Sequence, residues 1–349
     1  MNGTQREALK TSSDSYESVS PSKKFKLFLF KFKGDHYGSD SEEQPTVFKK
    51  MFKTYKRRNP APDLSQKVVE MPNVDPRVEG KCGILNFQQL NCANVNEDEL
   101  QQLGLKPLTN WKLVTLSGRQ GLYIIPNVMR EEAVEMWLSR SFKYAEPPNT
   151  TNLTAHGKSP EKCYFCQFHP TDPVVLRCHC RDVLRVAGKS LRWTTLGVDY
   201  NWDTKEYPLT GDPVPPELVQ FADVVTRVLG LGPMYADATI VNYYPPKSTL
   251  SPHVDRSERT DAPLVSLSLG QSAVYLTGGE SLDDEVVPLW LRSGDVLVMH
   301  GAQRLVYHAV ASIHKTCVFD IKDPLLADFA STSRVNITIR QVNPVGNNA

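Results

Sequence analysis

The stretch from residue 239 to residue 341 constrains the fold most, because short apolar segments alternate there with turns containing glycine and proline. Segments of this length and spacing are typical of the antiparallel strands of a jelly-roll barrel. We therefore predict a mainly β protein of the α+β class, with helices flanking a jelly-roll core. The predicted strands are 239–244, 264–269, 273–276, 286–291, 296–299, 305–310, 316–321 and 334–341.

A His-x-Asp pair follows the first of these strands. Side chains two residues apart in an extended chain face the same way, so His253 and Asp255 project together. An imidazole and a carboxylate on one face supply two of the three ligands of a facial triad, which suits non-haem Fe(II) and leaves positions for a co-substrate and O₂. His308 is the candidate third ligand, and His300 is the alternative. Such short pairs also occur by chance.

The last predicted strand alternates strictly between polar and apolar side chains. Its polar face carries Arg334, Asn336 and Arg340. A half-exposed strand with a solvated polar face is the simpler interpretation. If the polar face is directed at a metal pocket, its two arginines suit a dicarboxylate, because each guanidinium forms a bidentate fork with one carboxylate. Asn242 and Tyr244 likewise project together from the strand 239–244.

In combination, these motifs resemble those of the AlkB family of Fe(II)/2-oxoglutarate dioxygenases. The resemblance runs from about residue 191 to residue 342 and comprises Asn-x-Tyr, His-x-Asp, a distal His and Arg-x-Asn-x-x-x-Arg in that order. The segments 191–203 and 253–258 are most similar to the homologue-one branch in animals. The resemblance implies a double-stranded β-helix core at about 236–342, inside a catalytic domain spanning 111–342.

The resemblance also implies the cofactors and their ligands. Fe(II) is expected to be bound by His253, Asp255 and His308, with O₂ as the oxidant and 2-oxoglutarate as co-substrate. Arg334 is expected to face the carboxylate of 2-oxoglutarate that is far from the metal, and Arg340 the one near it. The residues expected to bind 2-oxoglutarate are Asn242, Tyr244, Arg334, Asn336 and Arg340.

The reaction implied by the family is oxidation of a methyl group on a nucleic-acid base. Methylated tRNA is the first expected substrate and DNA the second, in single-stranded or locally unpaired form, because a base inside a duplex must be flipped out. The same chemistry on a protein side chain is the alternative, and a non-catalytic binder is a third reading. The intact motifs argue against the third.

A segment at about 190–208 resembles the family's nucleotide-recognition lid. Trp193 and Tyr200 occupy the positions of an aromatic residue that stacks on an extruded base and a tyrosine near the nucleic-acid backbone. Stacking on an indole contributes about 1–3 kcal/mol per base and suits any base. The alternative is that Trp193 is an ordinary residue of the β core.

Residues 47–58 are predicted to form an amphipathic helix that ends at Asn59-Pro60. Its apolar positions are Phe48, Met51, Phe52 and Tyr55. Its basic positions include Lys49, Lys50, Lys53 and Lys56. We expect this helix to dock on the domain, with the lysines either solvated or in contact with nucleic-acid phosphates. The net charge of +1 gives no separate indication of nucleic-acid binding.

Four cysteines lie in two pairs, Cys163 with Cys166 and Cys178 with Cys180. Such pairs can bind a structural zinc ion, although the second spacing is unusually short. Buried thiols in a variable insertion are the alternative. Seven cysteines without a secretory signal favour a reducing compartment, so we expect an intracellular protein of the nucleus and cytoplasm, with the mitochondrion as a further location.

The remaining segments flank the catalytic domain. Residues 1–45 are rich in serine, lysine and acidic residues and are predicted to be a disordered tail. Residues 46–110 combine the basic helix with a connecting segment, and 343–349 form a short tail. No run of 18 apolar residues is present, so we expect no membrane span. We expect a monomer.

Overall fold

Two antiparallel β-sheets form the framework of the described chain. The computed structural model describes residues 44–65, 67–71, 84–93, 95–155 and 183–345. The helices are α1 (Val47–Lys56), α2 (Glu97–Gln102), α3 (Glu131–Lys143), α4 (Val183–Ala187), α5 (Pro216–Val228) and α6 (Pro324–Ala330). The strands are β1 (Leu85–Gln88), β2 (Leu113–Leu116), β3 (Leu122–Ile125), β4 (Trp193–Gly197), β5 (Ala238–Tyr244), β6 (Leu250–His253), β7 (Leu264–Gly270), β8 (Ser272–Thr277), β9 (Val287–Leu291), β10 (Val296–Met299), β11 (His308–His314) and β12 (Arg334–Arg340). None of the helices described is long and apolar enough to cross a bilayer.

The strand order confirms the predicted jelly roll. The larger sheet has the order β1-β2-β3-β10-β7-β12-β5-β4, and the smaller sheet has the order β6-β11-β8-β9. All strand pairs in both sheets are antiparallel. One apolar cluster joins Leu297 and Met299 of the larger sheet to Tyr275 and Leu289 of the smaller. The two sheets therefore pack face to face around a shared interior.

Helices cover the outer face of the larger sheet. Trp137 of α3 packs edge-on against Phe221 of α5, with ring centroids 5.6 Å apart. The indole Nε1–H of Trp137 donates to the carbonyl oxygen of Leu103 at 2.8 Å, so its polar atom is satisfied inside the core. Side chains of α3, α5 and α6 share one cluster with the apolar face of β12. This layer fixes the position of the strand that carries the two arginines.

Strand β12 is buried on both faces, so the half-exposed interpretation of its alternating pattern is wrong. It lies between β5 and β7 in the larger sheet. Val335, Ile337 and Ile339 face the helical layer and belong to its core. Arg334 and Arg340 on the opposite face are also buried, with relative exposures of 1% and 6%. A central strand cannot present either face to solvent when sheets or helices cover both.

Two predicted strands differ from the structure. The segment 316–321 forms no strand, because the backbone N–H groups of Thr316 and Cys317 donate to Oε1 of Gln271 at 2.9 and 3.2 Å. A side chain therefore satisfies the groups that a neighbouring strand would otherwise bind. The strand predicted at 305–310 begins only at His308, because Gly301–Leu305 forms a 3₁₀ helix.

Helix α1 packs on the outer face of the smaller sheet, mainly against β11 and β6. Thr46 caps its first turn by accepting from the N–H of Lys49. The buried side chains are Phe48, Phe52 and Tyr55, and Lys49, Lys50 and Lys53 are exposed. Lys56 is half-buried, with its Nζ 5.3 Å from the ring centroid of Phe52. The predicted docking of this helix is thus observed.

The segment after α1 continues along the edge of the smaller sheet. The N–H of Val69 donates to the carbonyl oxygen of Pro288 at 2.9 Å, and the N–H of Trp290 donates to the carbonyl oxygen of Val69 at 3.0 Å. Val69 thereby forms a parallel bridge to β9, one of the two edge strands of that sheet. Val68 is buried in the same cluster as the apolar face of α1.

Candidate active site

The structure brings together the three side chains predicted to bind iron. His253 on β6 lies directly opposite His308 on β11, and their ring centroids are 4.2 Å apart. Asp255 follows β6, and its Oδ2 lies 3.7 Å from Nε2 of His308. One ligand atom from each residue lies within 4.8 Å of the other two. A single ion can therefore contact all three.

Backbone carbonyls select the tautomer of both histidines. Nδ1 of His253 lies 2.9 Å from the carbonyl oxygen of Ser251, and Nδ1 of His308 lies 3.2 Å from that of Val306. Because a carbonyl oxygen only accepts, each Nδ1 carries the hydrogen and each Nε2 keeps a lone pair for a metal. His300 lies at the start of the 3₁₀ helix and is not in the cluster.

The charges of the cluster also suit a divalent cation. Burial opposes ionisation of Asp255, but Arg340 and the two imidazoles outweigh it and hold the pKa of this carboxyl well below its usual range. Burial lowers the pKa of His308 to about 4. At neutral pH the cluster thus offers an ionised carboxylate and an imidazole free of its second proton, the forms that bind a metal. Two histidines and one carboxylate with positions left open fit non-haem Fe(II).

Arg334 supplies a buried cation with unsatisfied donors. Its Nη2 donates to Oγ of Ser268 at 3.0 Å, and its Cζ lies 5.1 Å from the ring centroid of Tyr244. Nε and Nη1 have no hydrogen-bond partner among the described residues. Burying a charge without a partner is costly, so the site favours an anionic ligand here. A carboxylate group of 2-oxoglutarate has the required charge and acceptors.

Arg340 makes more contacts within the protein than the sequence suggests. Its Nη2 lies 3.3 Å from Oδ2 of Asp255, and its Nε lies 3.0 Å from Oε1 of Glu258. Its Nη1 donates to the carbonyl oxygen of Thr338 at 3.3 Å. Arg334 therefore has donors to spare, whereas each nitrogen of Arg340 already has an acceptor. The contact of Arg340 with 2-oxoglutarate remains a prediction.

Three other residues expected in the co-substrate pocket lie on the same sheet. Asn242 pairs with Asn336, and Tyr244 pairs with Arg334, across β5 and β12. The amide nitrogen of Asn336 donates to Oγ of Ser266 at 2.7 Å and to a backbone carbonyl at 3.0 Å. Both of its N–H donors are used inside the sheet, so it has none left for the co-substrate. Asn242 and Tyr244 border the Arg334 site.

The segment expected to be the nucleotide-recognition lid, at about 190–208, contains a cluster of aromatic side chains, and the sequence prediction assigns no role to one of them, Trp202. Trp193 lies opposite Asn242 in the register of β4 and β5, so the two face the same side of the sheet. Its ring is buried beneath Trp202, with centroids 5.0 Å apart at an interplanar angle of 40°. Tyr200 meets Trp202 edge-on at 4.8 Å. Trp202 is 40% exposed, and its position two residues after Tyr200 is the only sequence signal for it.

The lid is tied to the loop that follows Asp255. Oγ of Ser257 donates to the carbonyl oxygen of Lys205 at 2.8 Å. The guanidinium of Arg259 donates to the carbonyl oxygen of Tyr207 at 2.9 Å and to that of Pro208 at 2.8 Å. These bonds hold the aromatic cluster beside the metal ligands. The cysteine residues 163, 166, 178 and 180 lie outside the described residues.

The chain is similar over most of its length to known proteins. Residues 121–340 match the model of the 2OG-Fe(II) oxygenase superfamily. Nucleic acid dioxygenase ALKBH1 of Mus musculus is 31% identical over 342 residues, which cover 88% of this chain and 86% of that protein. The tRNA demethylase abh1 of Schizosaccharomyces pombe is 33% identical over 323 residues, which cover 86% of this chain and 97% of that protein. The DNA N(6)-methyladenine demethylase ALKBH1A of Arabidopsis thaliana is 28% identical, with coverages of 74% and 86%.

Proposed function

This chain belongs to the 2OG-Fe(II) oxygenase superfamily and, within it, to the AlkB family, and we propose that it oxidises a methyl group on a base of tRNA. Single-stranded or locally unpaired DNA is the second proposed substrate. The observation that carries the proposal is the His253, Asp255 and His308 cluster together with the buried guanidinium of Arg334, whose Nε and Nη1 have no hydrogen-bond partner among the described residues.

The residues divide the work between cofactor and substrate. His253, Asp255 and His308 would hold Fe(II), and Arg334 would hold the far carboxylate of 2-oxoglutarate. Bound iron, 2-oxoglutarate and O₂ together supply an oxidant able to cleave a C–H bond of a methyl group, with succinate and CO₂ as co-products. A methyl group on nitrogen then leaves as formaldehyde, and a methyl group on carbon remains as hydroxymethyl. The chain's own part is to hold the base and exclude other groups from the metal.

The aromatic lid supports a nucleic-acid base as the group presented to the metal. Trp193 faces the same side of the sheet as Asn242 in the co-substrate pocket, and Tyr200 and Trp202 extend the aromatic surface outward. Trp193 is buried, as expected of a residue of the β core, so the indole accessible for stacking on a base, at about 1–3 kcal/mol per base, is that of Trp202. The names of the three relatives, which refer to nucleic acid, tRNA and DNA, support the same class.

The exposed lysines of α1 support contact with the phosphate backbone. The helix packs on β11 and β6, the two strands that carry the histidine ligands. Nη2 of Arg58 donates to the carbonyl oxygen of Lys247 at 2.7 Å, which fixes the end of the helix beside the turn that leads to β6. The cationic face thus lies on the back of the strands that carry the metal site. We assign its phosphate contacts to Lys49, Lys50 and Lys53, with Lys56 partly buried behind them.

Replacing the three exposed lysines Lys49, Lys50 and Lys53 with glutamine should weaken tRNA binding by about tenfold to a hundredfold near physiological salt. The reason is that each phosphate no longer contacted by a lysine keeps its bound counterion, so binding releases fewer ions. The slope of log affinity against log salt concentration should become shallower by about 2 to 3. Binding titrations at several salt concentrations measure both quantities. Turnover at saturating tRNA should stay close to that of the wild type.

A matched triple variant controls for loss of charge alone. Lys143, Lys315 and Lys322 are exposed and lie outside α1. Changing them to glutamine lowers the net charge equally and should leave the salt slope unchanged. An equal loss of affinity in both triple variants would contradict a specific role for α1.

The substrate class is tested by comparing three methylated compounds. The Fe(II)-loaded protein is given 2-oxoglutarate and, in separate reactions at equal concentration, methylated tRNA, methylated single-stranded DNA or a methyl-lysine peptide. We expect substrate-dependent succinate release with tRNA first and DNA second. If only the peptide is oxidised, the substrate is a protein side chain. If none of the three compounds stimulates succinate release, the protein is a non-catalytic binder. A zinc ion at the four cysteines, a monomeric state and an intracellular location remain predictions.

A further inference from the structure

A chain of buried charged side chains extends outward from the metal cluster. Arg340 lies between two carboxylates, with Nη2 3.3 Å from Asp255 and Nε 3.0 Å from Glu258. The second oxygen of Glu258, Oε2, lies 2.8 Å from Nη2 of Arg304 as an ion pair that is not aligned as a hydrogen bond. The side chain of Glu258 is 3% exposed and that of Arg304 is 9% exposed. Neither Glu258 nor Arg304 is among the residues proposed to bind iron or 2-oxoglutarate, so the proposed function does not explain this buried ion pair.

Glu258 limits the contact between Arg340 and Asp255. A guanidinium facing one carboxylate tends to form a bidentate pair through two parallel N–H groups. Here Glu258 takes Nε of Arg340, so only Nη2 reaches Asp255, and at 3.3 Å that contact is long for a charged hydrogen bond. A carboxylate engaged by both nitrogens would have its charge largely compensated and would be a poorer ligand for a cation.

The charges in this chain balance in the absence of a metal. Asp255 and Glu258 provide two negative charges, and Arg340 and Arg304 provide two positive ones. Removing the charge of Glu258 leaves a surplus of positive charge beside the site of a divalent cation. Removing the charge of Arg304 leaves the opposite surplus. In a buried site such differences are weakly screened and act on the affinity for a cation with opposite signs.

We propose that Glu258 is a positioning residue that restrains Arg340 and so keeps Asp255 available to bind the metal. Arg304, on the 3₁₀ helix, compensates the charge on the second oxygen of Glu258, and its Nη1 donates to the carbonyl oxygen of Ala262 at 2.6 Å. The ion pairs described for Glu258 are with Arg304 and Arg340, and not with the candidate metal ligands or with Arg334. The assignment rests on the proposed iron site.

Binding of Mn(II) to the metal-free, full-length protein tests this role without turnover. Titration calorimetry is done without 2-oxoglutarate or nucleic acid on the wild type, Glu258→Gln and Arg304→Gln. We expect Glu258→Gln to raise the dissociation constant for Mn(II) by about 10- to 100-fold, the range for residues that orient metal ligands. Arg304→Gln should lower it, because a positive charge is lost nearby while Glu258 keeps its own charge and its contact with Arg340.

The opposite signs separate positioning from general damage. Both variants break the same buried ion pair, so structural damage would weaken Mn(II) binding in both. Weaker or unchanged binding in Arg304→Gln, or unchanged binding in Glu258→Gln, would overturn the proposal. If Glu258→Gln does not fold, Arg304→Gln alone decides by the same criterion. Glu280→Gln, at an exposed carboxylate, should match the wild type. Absence of Mn(II) binding in the wild type would instead reject the iron site itself.

Discussion

Asp255→Ala should abolish oxidation, lowering kcat/KM for the preferred methylated nucleic acid by at least about a thousandfold, or about 4 kcal/mol of transition-state stabilisation. Asp255 is the only anionic ligand in the cluster, and its substitution leaves two neutral imidazoles to hold a divalent cation. Binding of the nucleic acid should persist, because the aromatic lid and the lysines of α1 are untouched. Succinate formation measures the first effect, and a filter-binding or fluorescence titration measures the second.

The control for this variant is Asp320→Ala, at an exposed carboxylate in the segment that joins β11 to α6. It should keep wild-type turnover and wild-type iron content. Stoichiometric iron in purified, reconstituted Asp255→Ala, together with substantial turnover, would show that another set of ligands binds the metal. Loss of nucleic-acid binding along with turnover would indicate that the variant had lost its fold rather than its metal.

Arg334→Met should raise the KM for 2-oxoglutarate by about a hundredfold or more, because each hydrogen bond to a charged group contributes about 1.5–3 kcal/mol and at least one carboxylate contact is lost. In the absence of ligands, the free energy of unfolding of the same variant should be unchanged or slightly higher than that of the wild type. Nε and Nη1 of Arg334 are buried without partners in the described chain, and removing this buried charge relieves a cost that offsets the lost hydrogen bond from Nη2 to Ser268.

These two measurements distinguish a binding role from a structural one. A structural arginine would lower the free energy of unfolding when replaced, and the KM for 2-oxoglutarate would change only through the loss of folded protein. Arg292→Met serves as the matched control, because Arg292 forms a partly exposed ion pair with Glu70 at 2.6 Å. It should leave the KM for 2-oxoglutarate unchanged, and a comparable rise there would contradict the role of Arg334.

The sequence predicted the jelly roll and most of its strands because period-two alternation and turn residues are local signals. The errors have a common cause in contacts that no local pattern encodes. The segment 316–321 is apolar enough to be a strand, but the side chain of Gln271 binds its backbone instead. For β12 the pattern located both faces correctly, yet it could not show that helices and a second sheet cover them.

The candidate site was also predictable in part: the sequence indicated the residues that lie in recognisable motifs but not those whose role depends on distant partners. His253, Asp255 and His308 were identified through ordered motifs, and the register of β6 and β11 places them together. Glu258 and Trp202 were not assigned roles, because their functional partners lie far away in sequence: Arg340 for the first and Trp193 for the second. A side chain whose role depends on a long-range contact gives no signal in its own neighbourhood.

The packing of the N-terminal segment has a consequence for where this protein can be cut. Helix α1 covers the apolar outer face of β8 and β11, and Val69 occupies the hydrogen-bonding edge of β9. A fragment beginning at residue 111 would leave that outer face bare and that strand edge open. Uncovered edges and apolar patches recruit further chains into aggregates. The described residues from 44 to 71 should therefore protect the sheet that carries both histidine ligands against self-association.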